Sequence, residues 1–168
     1  PAYRRPGFYF PIRVSSPAEA RAYRGRLEDV ERAHRGPLGS ELRHKGHLLF
    51  TWLNELIRHP RILDAVEDVL GPNLLCWSSS FFIKEARDPA FVSWHQDSTY
   101  WGLSEPTVVT AWVAFSESSV ESGAMRMIPG THRQQVAHRE TFAPDNLPNT
   151  LGEVLGAKGP GRGFTPSN

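Results

Sequence analysis

A change of pattern at Gly71-Pro72 constrains the fold of this chain more than any other feature. Before it, apolar residues recur at the three- and four-residue spacing of amphipathic helices. After it, short runs rich in β-branched and aromatic residues alternate with turn residues. Helices followed by several strands predict an α+β fold in which the helices pack on an antiparallel sheet.

The helical part is predicted for residues 15–71. Its first helix starts at Ser15-Ser16-Pro17, where a hydroxyl cap precedes a proline, and covers the charged surface segment 18–35. The second ends at His59-Pro60 and the third at Gly71-Pro72. Six apolar residues mark the second helix: Leu48, Leu49, Trp52, Leu53, Leu56 and Ile57. Three histidines of this part are expected to be exposed or capping residues: His44, His47 and His59.

The β part is predicted for residues 73–130. Its strands are expected at residues 73–84, 91–97, 107–115 and 123–128. Residues 156–168 are rich in glycine and proline and are expected to form a disordered tail. Residues 1–155 are therefore predicted to form a single domain.

Composition excludes several classes of protein. A chain of 168 residues with 39% hydrophobic and 22% charged residues is typical of one globular domain. A net charge of +1 argues against nucleic-acid binding, and no apolar run is long enough to span a membrane. Cys76 is the single cysteine, so no internal disulfide forms. It is expected to be a small buried hydrophobe in a cytoplasmic protein that has no signal peptide.

The segment Val92–Trp101 carries the first chemical signal. In an extended strand, side chains at positions i and i+2 lie on the same face, so His95 and Asp97 are expected to converge. A nitrogen and an oxygen donor from one strand can begin a site for a divalent metal. A surface pair or a plain His–Asp hydrogen bond would give the same spacing.

The chain contains three sequence motifs in the same order as the phytanoyl-CoA dioxygenase family, which it resembles over approximately residues 40–155. The similar region of the β part begins at Lys84, and the helical segment 46–73 also resembles that family. The motifs are Trp94-His95-Gln96-Asp97, Thr110-Ala111-Trp112-Val113-Ala114, and the run from Ser122 to Arg133 that contains Pro129-Gly130-Thr131-His132.

The resemblance implies a double-stranded β-helix, a cupin-like jelly roll, of the Fe(II)- and 2-oxoglutarate-dependent oxygenases. His95 and Asp97 match two metal ligands of that family, and Lys84 and Trp112 match positions that contact 2-oxoglutarate in some members. Alternatively, Lys84 is an exposed lysine at the end of a strand, and Trp112 is an aromatic residue of the core. Because halogenating relatives replace the carboxylate, Asp97 implies a hydroxylase. His132 does not match the second metal histidine of the family and is expected to be structural or to lie just behind the metal ligands.

The resemblance implies hydroxylation of a small molecule coupled to decarboxylation of 2-oxoglutarate. Three aromatic residues are candidates for lining the substrate site, and only their positions in the sequence suggest this: Phe82, Tyr100 and Trp101. The substrate itself is not indicated, and no basic cluster points to an acyl-CoA.

The family pattern also contains a distal metal histidine and a 2-oxoglutarate arginine, which are not found here. His138 and Arg162 are weak substitutes. The chain is expected to be either a truncation or a complete chain with two ligands, and in both cases an incomplete jelly roll. Open sheet edges then predict a homo-oligomer. A catalytically silent member and a jelly-roll binding module are the alternative functions.

Overall fold

The computed structural model describes residues 2–36, 38, 40–105, 107–136, 139–140 and 162–163. The chain divides into two compact units. The first unit contains residues 1–8, 83–108 and 127–168, and the second contains residues 9–82 and 109–126. The assignment of residues 1–155 to a single domain stays a prediction.

The first helix of the second unit, α1, spans Pro17–His34. Its N-cap is Ser16, whose hydroxyl accepts a hydrogen bond from the Glu19 amide at 3.2 Å. The Glu19 carboxylate accepts in return from the Ser16 amide at 2.8 Å, which completes a capping box. The helix ends at Arg35 in a left-handed conformation. This confirms the predicted start at the serine–proline sequence and the predicted surface location, since α1 has no buried residue.

Four short elements follow α1 in the second unit. They are α2 (Ser40–Arg43), a 3₁₀ turn (Gly46–Leu48), α3 (Thr51–Ile57) and α4 (Pro60–Leu70). The prediction that Leu48 and Leu49 belong to the second helix is wrong, because the extended backbone of Phe50 separates them from α3. Both leucine side chains are exposed. The predicted end of the third helix at Gly71 is confirmed.

The core of the second unit lies at the junction of α3 and α4. Leu53, Leu56 and Ile62 form its buried cluster. Half-buried side chains surround this cluster: Val14, Tyr23, Phe50, Trp52, Val66, Phe81, Val113 and Phe115. Tyr23 stacks on Phe115 with ring centroids 5.5 Å apart, so α1 contributes an aromatic side chain to the edge of this core.

The three histidines of the helical part have different environments. His44 is half-buried, which departs from the expectation of an exposed or capping residue, and its Nδ1 lies 3.3 Å from the Ser80 hydroxyl. His59 caps α4, since its Nδ1 accepts from the Arg61 amide at 3.2 Å, as predicted.

His47 is buried, which contradicts the expectation of an exposed or capping residue. A polar partner explains the burial: His47 Nδ1 lies 2.6 Å from the Ser79 hydroxyl. Burial and then the charge of Lys45 lower the pKa of His47.

Regular strands are short in the part of the chain that the structure describes. They are β1 (Arg139–Glu140) and β2 (Arg162–Gly163), which pair antiparallel. The four stretches predicted as strands form no regular ladder, and an isolated bridge joins His44 to Ser80. β-Propensity reports a fit to a pleated surface and does not supply a partner strand. The jelly roll therefore stays a prediction.

The stretch around Cys76 departs from its predicted burial. Cys76 is exposed, as are its neighbours Leu75 and Trp77. The expectation of a buried cysteine is wrong because this stretch lies at the surface instead of in a sheet. Among the residues described, no helix combines the length and apolar character that a membrane crossing requires.

Candidate metal centre

His95 and Asp97 meet in the first unit. The His95 Nε2 atom lies 3.1 Å from the Asp97 Oδ1 atom, and both side chains are partly exposed, at 26% and 37%. The other ring nitrogen, Nδ1, lies 2.7 Å from the carbonyl oxygen of Ser93. One imidazole thus bridges a backbone carbonyl and a carboxylate.

The partners of the His95 ring determine where its protons lie. A carbonyl oxygen only accepts hydrogen bonds, so Nδ1 carries a proton and Nε2 faces the carboxylate. Burial disfavours the imidazolium, but two hydrogen bonds that its ring donates, to the Asp97 carboxylate and to the Ser93 carbonyl, and the Asp97 charge outweigh this effect. The pKa of His95 is therefore raised. A divalent cation can replace the proton between Nε2 and Oδ1, because a carbonyl that fixes Nδ1–H is the usual support of a metal-bound histidine.

The backbone at Asp97 differs from the predicted extended strand. Asp97 has φ −54° and ψ −42° and precedes a short helix, α5 (Ser98–Trp101). The strand prediction for residues 91–97 is thus wrong, because this stretch forms no regular ladder and its last residue already has helical backbone angles. The predicted convergence of His95 and Asp97 nevertheless occurs.

Gln96 lies between the two donors and binds a different part of the first unit. Its Nε2 donates to the carbonyl oxygens of Thr131 at 2.9 Å and Gln134 at 3.0 Å. Its Oε1 accepts from the Val136 amide at 2.8 Å. Gln135 adds a second contact to this segment, with its Nε2 2.8 Å from the Thr99 hydroxyl.

The turn that receives Gln96 contains the predicted Pro-Gly-Thr-His sequence. Gly130 has φ +84°, and the Thr131 hydroxyl donates to the Ile128 carbonyl at 2.9 Å. His132 Nε2 lies 3.2 Å from the Arg4 carbonyl, and its ring packs edge-on against Tyr3 at a centroid distance of 6.0 Å. His132 therefore has the structural role that its sequence context predicts.

The predicted 2-oxoglutarate contacts are occupied by protein groups. The Lys84 ammonium, on an exposed side chain, donates to the backbone carbonyls of Asp88 and Ala90. In the second unit, the ring of Trp112 packs against Phe82 at a centroid distance of 5.4 Å, and both are partly exposed. The alternative interpretation of Trp112 as a core aromatic is thus not supported, because its side chain is exposed. The cofactor roles of Lys84 and Trp112 stay predictions.

The predicted substrate walls lie in different units. Tyr100 and Trp101 belong to α5, directly after Asp97 in the first unit, and the Trp101 side chain is half-buried. Phe82 belongs to the second unit, beside Trp112. Their contact with a substrate stays a prediction.

The donor set within the described residues is a pair. No cluster of three or more histidine, cysteine, aspartate or glutamate side chains occurs in the ranges that the structure describes. Of the two weak candidates, His138 lies outside the described residues. Arg162 is described by its backbone in β2. His95 and Asp97 fit a divalent metal as one nitrogen and one oxygen ligand, and a further ligand has to be supplied.

Sequence reasoning missed the residues that support the pair. Ser93 acts through a carbonyl, which every residue carries, so no side-chain signal could identify it. Gln96 did carry a signal, since alternation places it on the opposite side of a strand from His95 and Asp97. Its partners, 35 to 40 residues later, are not encoded in any local spacing.

The comparison with known families decides what kind of chain carries this pair. The family model for phytanoyl-CoA dioxygenase matches residues 3–155, which is most of the chain. The chain belongs to the phytanoyl-CoA dioxygenase family. No solved structure gives a significant match.

Several curated relatives are oxygenases by name. The chain is 31% identical over 90 residues to a probable alpha-ketoglutarate-dependent hypophosphite dioxygenase of Stutzerimonas stutzeri, covering 54% of this chain and 31% of the relative. It is 26% identical to the L-proline trans-4-hydroxylase of Streptomyces griseoviridis, covering 77% and 52%. It is 22% identical to the ectoine dioxygenase of Streptomyces coelicolor, covering 89% and 55%. The chain thus spans about a third to about half of the length of these relatives.

Proposed function

We propose that this chain carries the metal-binding part of an Fe(II)- and 2-oxoglutarate-dependent oxygenase that hydroxylates a small molecule. The contact between His95 Nε2 and Asp97 Oδ1, with Nδ1 held by the Ser93 carbonyl, carries this proposal. Membership of the phytanoyl-CoA dioxygenase family supports it, because alpha-ketoglutarate-dependent and hydroxylating enzymes are among the relatives.

His95 and Asp97 are the proposed metal ligands. The Ser93 carbonyl keeps the Nδ1 proton in place, so that the Nε2 lone pair is available once the proton opposite Asp97 leaves. The Asp97 carboxylate supplies negative charge that lowers the net charge of a bound Fe(II). When bound, Fe(II) and 2-oxoglutarate supply the activation of O₂ that hydroxylation requires.

The remaining predicted site residues keep their roles as parts of this proposal. Lys84 and Trp112 are proposed to contact 2-oxoglutarate, which requires the Lys84 ammonium to leave the carbonyls of Asp88 and Ala90. Phe82, Tyr100 and Trp101 are proposed substrate contacts. Relatives named for proline, ectoine and hypophosphite suggest a small polar substrate, and none of these compounds is assigned to this chain.

The two-donor set favours one alternative, a family member without catalysis. A nitrogen and an oxygen ligand alone hold Fe(II) less firmly than the facial triad of two histidines and one carboxylate. Activity therefore depends on a third ligand that is not among the described residues. Homo-oligomer formation, the jelly-roll core and a cytoplasmic location also stay predictions.

An anaerobic titration with Fe(II) and 2-oxoglutarate tests the proposal. We expect a visible charge-transfer band from the Fe(II) chelate in the wild-type chain. The band should disappear in His95→Ala and in Asp97→Ala, because each variant removes one of the two donors.

The matched control is His34→Ala, which removes an exposed histidine in the last turn of α1. This variant should keep the band at wild-type intensity. A folded wild-type chain without a band would leave the non-catalytic alternative. A band that survives in His95→Ala would refute the assignment of the ligands.

A further inference from the structure

The side-chain amide of Gln96 makes three hydrogen bonds to one turn of the first unit. Both of its donor hydrogens are directed to backbone carbonyls, those of Thr131 and Gln134, at 2.9 and 3.0 Å. Its oxygen accepts from the backbone amide of Val136 at 2.8 Å. Three hydrogen bonds thus join the residue between His95 and Asp97 to the turn 131–136.

The chemistry of these partners requires an amide. The two carbonyls only accept and the Val136 amide only donates, so the matching side chain needs two donors and one acceptor. Glutamine meets this requirement, and a glutamate of the same shape does not, because its oxygens would face two carbonyl oxygens. Asparagine offers the same groups on a side chain one methylene shorter.

We propose that Gln96 is a positioning residue for the metal pair. Its neighbours on both sides supply the proposed ligands, so the three bonds of Gln96 fix the backbone from which the His95 and Asp97 side chains project. This inference rests on the proposed function and deepens it. Gln96 itself does not touch the metal.

The rest of the turn supports the anchoring role, because the turn has its own attachments. The Gly130 amide donates to the Pro6 carbonyl at 2.8 Å, and Arg133 Nη2 donates to the Arg5 carbonyl at 3.1 Å. Gln135 bonds to Thr99, two residues after Asp97. Gln96 therefore binds a segment that is itself fixed at several points.

Metal binding by Gln96→Ala and Gln96→Glu tests this role. Co(II) is titrated anaerobically, at a temperature where circular dichroism shows each variant folded. We expect the Kd for Co(II) to rise by about 10-fold or more in both variants, the scale of losing a group that orients metal ligands. The isosteric Gln96→Glu should be no better than Gln96→Ala, whereas a packing role would leave it close to wild type.

The matched control is Gln134→Ala. It removes a glutamine side chain from the same turn and keeps the backbone carbonyl that Gln96 uses. Its Kd for Co(II) should stay within about twofold of wild type. If Gln96→Ala does not fold, Gln96→Asn takes its place, with an intermediate loss of affinity expected.

A metal-free measurement separates the two proposals. Hydrogen exchange at the Val136 amide should accelerate in Gln96→Ala and stay at the wild-type rate in Gln134→Ala. Wild-type Co(II) affinity in the Gln96 variants would overturn the positioning role alone. A folded wild-type chain that binds no Co(II) would overturn the proposed function and, with it, the role of Gln96 at a metal site.

Discussion

The helical region, residues 16–70, and the site region are held together by different forces. The site region consists of Tyr3–Gly7 and residues 93–101 and 128–136. In the helical region, Leu53, Leu56 and Ile62 are buried against one another. In the site region, no side chain that the structure describes is buried, and side-chain bonds to backbone groups connect the segments.

This difference determines what each region tolerates. Burial of apolar area is non-directional, so a core accepts volume-conserving changes and responds strongly to lost volume. A hydrogen bond contributes about 1 kcal/mol and depends on the identity of both partners. The site region is therefore expected to be sensitive to chemistry at single positions and to open locally more readily than the core.

The largest expected effect is a cavity in the helical core. Leu56→Ala should lower the free energy of unfolding by about 2–5 kcal/mol, because Leu56 is 5% exposed and its removed volume cannot be refilled. Urea denaturation followed by circular dichroism measures the change. Leu48→Ala is the control, since Leu48 is 70% exposed, and should change stability by less than about 0.5 kcal/mol. Equal losses in the two variants would contradict the assigned core.

The next effect belongs to the site region and arises from one glycine. Gly7 has φ +84°, and a Cβ there would lie 2.1 Å from His132 Nδ1. Gly7→Ala should therefore cost about 1–3 kcal/mol and accelerate hydrogen exchange at residues 131–133. Adding His132→Ala to Gly7→Ala should restore the stability that is lost through the steric clash. The loss that comes from the positive φ of residue 7 should remain.

Gly25→Ala is the matched control from the helical region. Gly25 lies inside α1 with open space around it, so alanine should stabilise the chain by about 0.5–1 kcal/mol. The same substitution is thus expected to have opposite signs in the two regions. If Gly25→Ala destabilised the chain, or if Gly7→Ala left its stability unchanged, the expected difference between the two regions would be contradicted.

The same contrast explains what could be predicted from the sequence. The start at Ser16 and the end at Gly71 were predicted correctly, because caps are local signals. Leu48 fits the helical spacing but lies in a 3₁₀ turn, because spacing does not report the break at Phe50. His95 and Asp97 were paired correctly although Asp97 is not extended, since two residues so close in sequence meet in more than one backbone geometry.

Other features depend on partners that no local pattern encodes. Burial of His47 requires Ser79, 32 residues later, and the anchoring of Gln96 requires a turn 35 to 40 residues later. The strand predictions failed for the same reason, because β-propensity identifies residues that suit a sheet and does not identify the strands that pair with them. Sequence motifs thus predicted the family and the donor pair, and not the contacts that hold the pair in place.

A smaller effect is expected where the helical region itself uses polar contacts. Ser16→Ala removes the hydroxyl that accepts from the Glu19 amide and should cost about 1 kcal/mol. Ser15→Ala is the control, because Ser15 precedes the N-cap and should change stability by only a few tenths of a kcal/mol. Thermal denaturation of both variants measures the difference. A cost at Ser15 equal to that at Ser16 would contradict the capping box.

The smallest expected effect is a pH dependence from His47, the buried polar residue of the helical region. Burial, and then the charge of Lys45, hold the pKa of His47 below its ordinary value of 6.5. The unfolded chain therefore binds the proton more readily than the folded chain, so stability is complete above pH 6.5 and falls as the pH decreases below it. The urea midpoint should be lower at pH 5.5 than at pH 7.5.

His44 has a pKa lowered by burial and by Arg43, so it adds a loss of stability of the same sign. In His47→Gln the decrease between these pH values should become smaller, whereas His34→Gln, on the exposed end of α1, should keep the wild-type decrease. An unchanged decrease in His47→Gln would mean that this histidine is not held neutral by burial, and the pH dependence would then not distinguish the helical region from the site region.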